Sequence, residues 1–136
     1  MNDNIEITKL IDDYYSWLRR GVITKPASNG WTEIETPMLD RHNDCLSIYV
    51  KISDGNIEIT DGGYILNDLD MSGFDIKTAK RKELIQQVAN GFGVKVEDGE
   101  IKTMANASNF AVRKHMILQS MILINDLFYL SSPTAC

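Results

Sequence analysis

The densest polar run in this 136-residue chain is Asp40-Arg41-His42-Asn43-Asp44. Asp40, His42 and Asp44 alternate, so on an extended backbone they point to one side. With Asp61 from the end of a following strand they could form a carboxylate–histidine metal site, with Lys51 as a charge stabiliser. Such a centre would suit a metal-dependent, nucleic-acid-processing enzyme. The plainer reading is a polar loop in which Asp and Asn hold turns by bonding to the backbone. One histidine and scattered carboxylates match no metal-ligand spacing. Nucleases of the Asp…Asp/Glu-x-Lys kind want a carboxylate two residues before a strand lysine, and before Lys51 that place holds Tyr49.

Other chemistry-bearing features are weaker. Thr60-Asp61-Gly62-Gly63-Tyr64 could cradle an anion with its amides, but no Gly-Lys-Ser/Thr or Gly-x-Gly-x-x-Gly accompanies it. Lys77, Lys80, Arg81 and Lys82 form the one basic cluster and read as a solvated face. His115 reads as a boundary residue of the last helix. No Ser, Cys or Lys sits beside an evident base in a recognisable motif. No cofactor is expected.

The elements that must position these residues follow from periodicity. Ile7, Leu10, Ile11, Tyr14, Tyr15 and Leu18 mark one face of an amphipathic helix over about residues 4–20, with Arg19 and Arg20 in its last turn and Gly21 as its stop. Residues 22–30 read as a loop. Trp31–Thr36 reads as a strand that Pro37 ends or places at an edge. Leu46, Ile48, Val50 and Ile52 alternate with Ser47, Tyr49 and Lys51, which predicts a half-buried strand. Asp54-Gly55-Asn56 turns the chain into Ile57 and Ile59, and Asp61-Gly62-Gly63 breaks that strand. Tyr64 to Met71 suggests a short turn or helix. A helix over Thr78–Asn90 faces Leu84, Ile85, Val88 and Ala89 inward, and Gly91 and Gly93 close it. Val94, Val96, Asp98-Gly99 and Ile101 suggest a hairpin. Ser108 is the expected cap of a last helix over about residues 109–130, whose core stripe holds Phe110, Leu118, Met121, Ile122 and Phe128. The order α-β-β-β-α-β-β-α predicts an α+β fold, a largely antiparallel sheet with helices packed on one face. Residues 1–130 read as one domain, and 131–136 as a flexible tail.

Composition agrees with a globular chain: 43% hydrophobic, 24% charged, net charge −5. That charge disfavours general nucleic-acid binding, which needs clustered Lys and Arg. Cys45 and Cys136 form no CxxC pair, so a disulfide framework or zinc site lacks support. Cys45 reads as a buried free thiol. No secretory signal or membrane span is evident, and a cytoplasmic location is expected.

Several motifs together carry a resemblance. They are Tyr14-Tyr15-Ser16-Trp17-Leu18, Thr36-Pro37-Met38-Leu39-Asp40-Arg41-His42-Asn43-Asp44, Ile48-Tyr49-Val50-Lys51, and Thr60-Asp61-Gly62-Gly63-Tyr64. Leu69-Asp70-Met71-Ser72-Gly73, Lys80-Arg81-Lys82-Glu83-Leu84, Asn90-Gly91-Phe92-Gly93 and Ile124-Asn125-Asp126-Leu127-Phe128 belong to the same set. The chain resembles the bacterial and prophage family known as domain of unknown function eighteen-twenty-eight, over nearly its whole length. The resemblance implies a mobile-element setting in low-GC Gram-positive bacteria and no particular activity. The element order is also similar to the type III secretion chaperone fold, whose members are small, acidic, dimeric proteins that bind a polypeptide.

Two functions are therefore expected in competition. One is a homodimeric protein-binding module with an unknown protein partner, a phage counter-defence protein being one form of it. Its contacts would come from an edge strand or from helix faces bearing Ile85, Val88, Leu123, Ile124 and Leu127. The other is the metal-dependent enzyme built on Asp40, His42, Asp44 and Asp61.

Overall fold

The computed structural model describes residues 3–130, with side chains from Glu6 onward. The expected tail at 131–136, with Cys136, lies outside the described residues. Helix α1 covers Asp3–Arg20. Strands β1 (Ile23–Pro26), β2 (Thr32–Leu39), β3 (Cys45–Ser53) and β4 (Asn56–Thr60) follow. Then come α2 (Tyr64–Met71), α3 (Ala79–Gly91), β5 (Lys95–Glu97), β6 (Glu100–Ala105) and α4 (Phe110–Asp126). The six strands form one sheet in the order β1-β2-β3-β4-β6-β5, each pair antiparallel. The fold is α+β.

Alternation builds the core as expected. Leu46, Ile48 and Val50 of β3 are buried, as are Ile57 and Ile59 of β4 and Ile101 of β6. Against them pack Ile65, Leu66 and Leu69 of α2, Ile85 and Ala89 of α3, and Ile117, Leu118, Met121 and Ile124 of α4. Asp54-Gly55 and Asp98-Gly99 each make a two-residue hairpin turn with both residues at positive φ (50° and 80°, 54° and 77°), the geometry that suits the twist of the flanking strands. The Thr78 hydroxyl caps α3 by accepting the Arg81 amide.

Several expectations need correction. Residues 22–30 are not a plain loop but hold β1 and a 3-10 turn at Ser28–Gly30. All four β1 residues are exposed, so the strand has no apolar alternation to read and exists through backbone pairing with β2. Pro37 neither ends β2 nor marks an edge strand. β1 pairs with β2 only as far as Glu35, and the β2–β3 register shifts between Glu35 and Leu39, so the missing N–H falls where no regular ladder needs it. Tyr64–Met71 is a true helix, which with β1 replaces the expected element order. Ser108 does not cap α4: the side-chain Oδ1 of Asn106 accepts the amides of Ser108 and Asn109 and organises that turn instead. Helix α4 stops at Asp126 and continues as a 3-10 turn over Leu127–Leu130. Cys45 is exposed rather than buried, since it shares the outward face of β3 with Ser47 and Tyr49. Ile52 is exposed at the far end of the same strand.

Candidate functional site

The Asp40–Asp44 run folds into a tight turn, with Asn43 at φ 63°. Asp40 is buried and accepts the amides of His42 (2.8 Å) and Asp44 (3.0 Å) on one oxygen and the Tyr64 hydroxyl (2.6 Å) on the other. Burial alone would raise its pKa, but these donors outweigh it and hold the carboxyl below the usual range. Phenolic Tyr64 moves the other way, raised by burial and by donating to Asp40.

From that turn Arg41 and His42 reach Asp68 on α2. Arg41 Nη2 donates to Asp68 Oδ2 at 3.0 Å and also to the Ser72 hydroxyl. Asn125 Nδ2 donates to the same Asp68 oxygen at 3.0 Å, and Asn125 Oδ1 accepts the Arg41 amide at 3.1 Å. His42 Nε2 meets Asp68 Oδ1 at 2.8 Å; an ionised carboxylate only accepts, so that nitrogen carries the hydrogen. The Arg41 guanidinium lies 4.0 Å over the Phe128 ring. Here too burial would raise the Asp68 carboxyl, but Asn125, His42 and Arg41 bring it net below the usual range. One carboxylate thus ties the β2–β3 turn to α2 and α4.

The five residues expected at a metal or catalytic centre are not gathered into one cluster, although Asp44 and Asp61 line one recess of about 240 Å³ with Tyr64. Asp61 is fully buried and gives Oδ1 to the amides of Gly63 (2.9 Å) and Ile101 (3.0 Å) and Oδ2 to that of Ile65 (3.0 Å). It starts α2 and pins β6. Burial raises its pKa, against the pull of those amides. Asp44 is exposed and contributes its backbone to the Asp40 turn. Lys51 extends over the Trp31 ring, 5.8 Å from its centre. His42 points to Asp68. Among the described residues no three His, Cys, Asp or Glu side chains come together to hold a metal ion. The His42–Asp68 pair has the orientation of a carboxylate-held general base. The His42 ring bonds Asp68 through Nε2, however, while the bond to Asp40 is made by the His42 backbone amide, and no hydroxyl, thiol or amine bonds the ring among the described residues. Arg81 of the basic cluster lies over the Phe74 ring.

A different region is left open. Every residue of α1 from Glu6 to Trp17 is exposed. That span includes Ile7, Leu10, Ile11, Tyr14, Tyr15 and Trp17, each about half exposed or more. From Glu6 to Trp17 the apolar face expected from the periodicity therefore has no core beneath it. At its root the stripe runs into a groove of about 660 Å³. Tyr14, Trp17 and Leu18 form one wall, Pro37 and Met38 the floor, and Phe110, Lys114, His115 and Leu118 the wall from α4. Gly21 sets the joint: a Cβ there would lie 2.9 Å from the Cβ of Pro37, so α1 leaves the sheet in close contact with that ring.

Of the five expected interface residues, Ile85, Ile124 and Leu127 are buried in the chain's own core, Val88 is half-buried, and Leu123 is exposed. The many-sided apolar character of α4 is explained by the sheet and helices around it. Arg41, Asp68 and Asn125 were not anticipated as a unit, since no local spacing joins residues 84 positions apart. The α1 stripe was visible as periodicity.

A family model described as "Domain of unknown function DUF1828" covers residues 36–124. That stretch takes in the Asp40 turn, Asp68, α3 and most of α4, and leaves α1 and β1 outside. No curated protein and no solved structure matches the chain. The family match covers more than half of the sequence, and the chain belongs to this family of unknown function.

Proposed function

We propose that this protein is a small interaction module that assembles as a homodimer through the apolar face of α1. The observation that carries this is the exposure of that face along an 18-residue helix. Most helical stability in proteins comes from packing an apolar stripe, so a helix left bare on that side is stabilised by whatever covers it. Six half-exposed large side chains offer on the order of 600 Å² per chain, and a symmetric pair about 1,200 Å², the lower bound of stable interfaces. The groove walls add to that. The mobile-element setting implied by the family resemblance, including a counter-defence role, is compatible with a module that works by surface contact.

Light scattering over a wide concentration range tests the reading. The expected mass is about twice 15.4 kDa, unchanged by EDTA or divalent metal. A monomer at all concentrations would sink it.

A further inference from the structure

Resting on that reading, we infer that the groove at the root of α1 receives the N-terminal half of α1 from a second copy, so that the two helices seat antiparallel in each other's grooves. Charge selects this occupant. The groove lining includes Arg19, Lys114 and His115 and no acidic residue, in a chain of net charge −5. Among the described residues no carboxylate pairs with any of the three. Lys114 is half-buried there, its ammonium destabilised by desolvation. An occupant must therefore bring apolar side chains together with negative charge.

The first half of α1 has that composition. Asp3 and Glu6 stand at its start, followed by Ile7, Leu10 and Ile11, whereas Arg19 and Arg20 stand at its end. A parallel pair would set Arg19 and Arg20 against their own copies. An antiparallel pair sets acid against base twice, and a two-fold axis closes it. Ile7 and Trp17, and Leu10 and Tyr14, sit symmetrically about the helix centre. In that pairing Ile7 and Leu10 of one copy face Trp17 and Tyr14 of the other, the residues that wall the groove. Glu6 then arrives beside Leu18 and Arg19, within reach of Lys114. The stripe and the groove are continuous through Tyr14, Trp17 and Leu18, so a single helix covers both.

The test is a charge-reversal cycle in the full chain, read by analytical ultracentrifugation. Glu6→Lys and Lys114→Glu alone should each raise the dimer dissociation constant roughly tenfold, and together should restore it to within about threefold of the parent. Orientation is read separately in chains with Cys45→Ser and Cys136→Ser. Mixing Leu10→Cys with Tyr14→Cys should give the mixed disulfide, whereas Leu10→Cys alone should cross-link poorly. A dimer in which the reversals are additive, or in which Leu10→Cys links to itself, overturns the antiparallel seating and leaves the homodimer standing. A parent chain that stays monomeric overturns both. A monomer that binds an acidic amphipathic peptide in this groove would assign the site to a foreign helix and overturn the second-copy assignment.

Discussion

The Asp68 knot and helix α1 satisfy opposite halves of the physical chemistry. In the knot, three side chains from two segments converge on one carboxylate, and the Arg41 side chain is only 7% exposed. Many of its polar groups bond one another, Arg41 Nε is buried with no hydrogen-bond partner among the described residues, and the His42 side chain is 41% exposed. Along α1 from Glu6 to Trp17, polar residues are solvated and the apolar ones are not covered. The polar cluster that invites a chemical reading is thus largely bonded within itself, while the apolar face of the amphipathic helix is open. A group already satisfied within its own chain has little left for a ligand, and an uncovered apolar stripe has a free-energy gain still unrealised.

The largest effect should come from opening the knot. Asp68→Ala leaves Arg41 buried without its counter-charge, and breaking one side of a buried pair typically costs about 3–5 kcal/mol. Urea unfolding should show that loss, with Asn125→Ala following at about 1–3 kcal/mol through orphaned donors and acceptors. A loss near zero for Asp68→Ala would mean that Arg41 escapes to water and that the knot does not hold the fold.

Helix α1 should respond in the reverse sense. Leu10→Asp or Tyr14→Asp should raise the dimer dissociation constant by about 30-fold or more, in line with hot-spot losses of about 2–4 kcal/mol. Circular dichroism should retain the sheet and α2–α4, because both residues are exposed and neither belongs to the core cluster. Loss of the whole fold with Leu10→Asp would contradict the separation between the two regions.

Local chemistry explains which parts were legible. The β3 alternation, the two Asp-Gly turns, the Thr78 cap and the α1 period are written within a few residues of one another. β1 was hidden because its four exposed residues are defined by a partner strand. The cap of α4 was misplaced because the Ser108 hydroxyl donates back to Asn106 Oδ1 and the cap position falls on Asn109. Arg41, Asp68 and Asn125 meet only after the sheet and α4 have formed. The α1 stripe was read as the apolar face of an amphipathic helix, and its exposure was not, since periodicity says that one face is apolar and not which surface covers it.

The joint between the two regions gives a smaller effect. Gly21→Ala places a methyl 2.9 Å from the Pro37 ring, which has no flexible end to yield. Overpacking of this kind costs about 1–3 kcal/mol, or is relieved by tilting α1. The first outcome appears as a lower unfolding midpoint, the second as weaker dimerisation at unchanged core stability. If neither changes, the joint does not set the direction of α1.

The smallest effect is the pH dependence. Asp40 and Asp68 have lowered folded pKa values, so their contribution is present above the ordinary carboxylate range near 4 and fades as pH falls through it toward the folded values. Asp61 is raised. Its charge costs stability at neutral pH, and that cost is relieved as pH falls through its folded pKa. Stability should therefore hold or rise slightly on mild acidification and drop below about pH 4. Tyr64→Phe removes the donor that helps lower Asp40, so it should weaken the fold at neutral pH and make the acid drop shallower. Urea midpoints across pH for the two chains measure this, and an acid limb of equal slope would show that Asp40 is held by its own turn amides rather than by Tyr64.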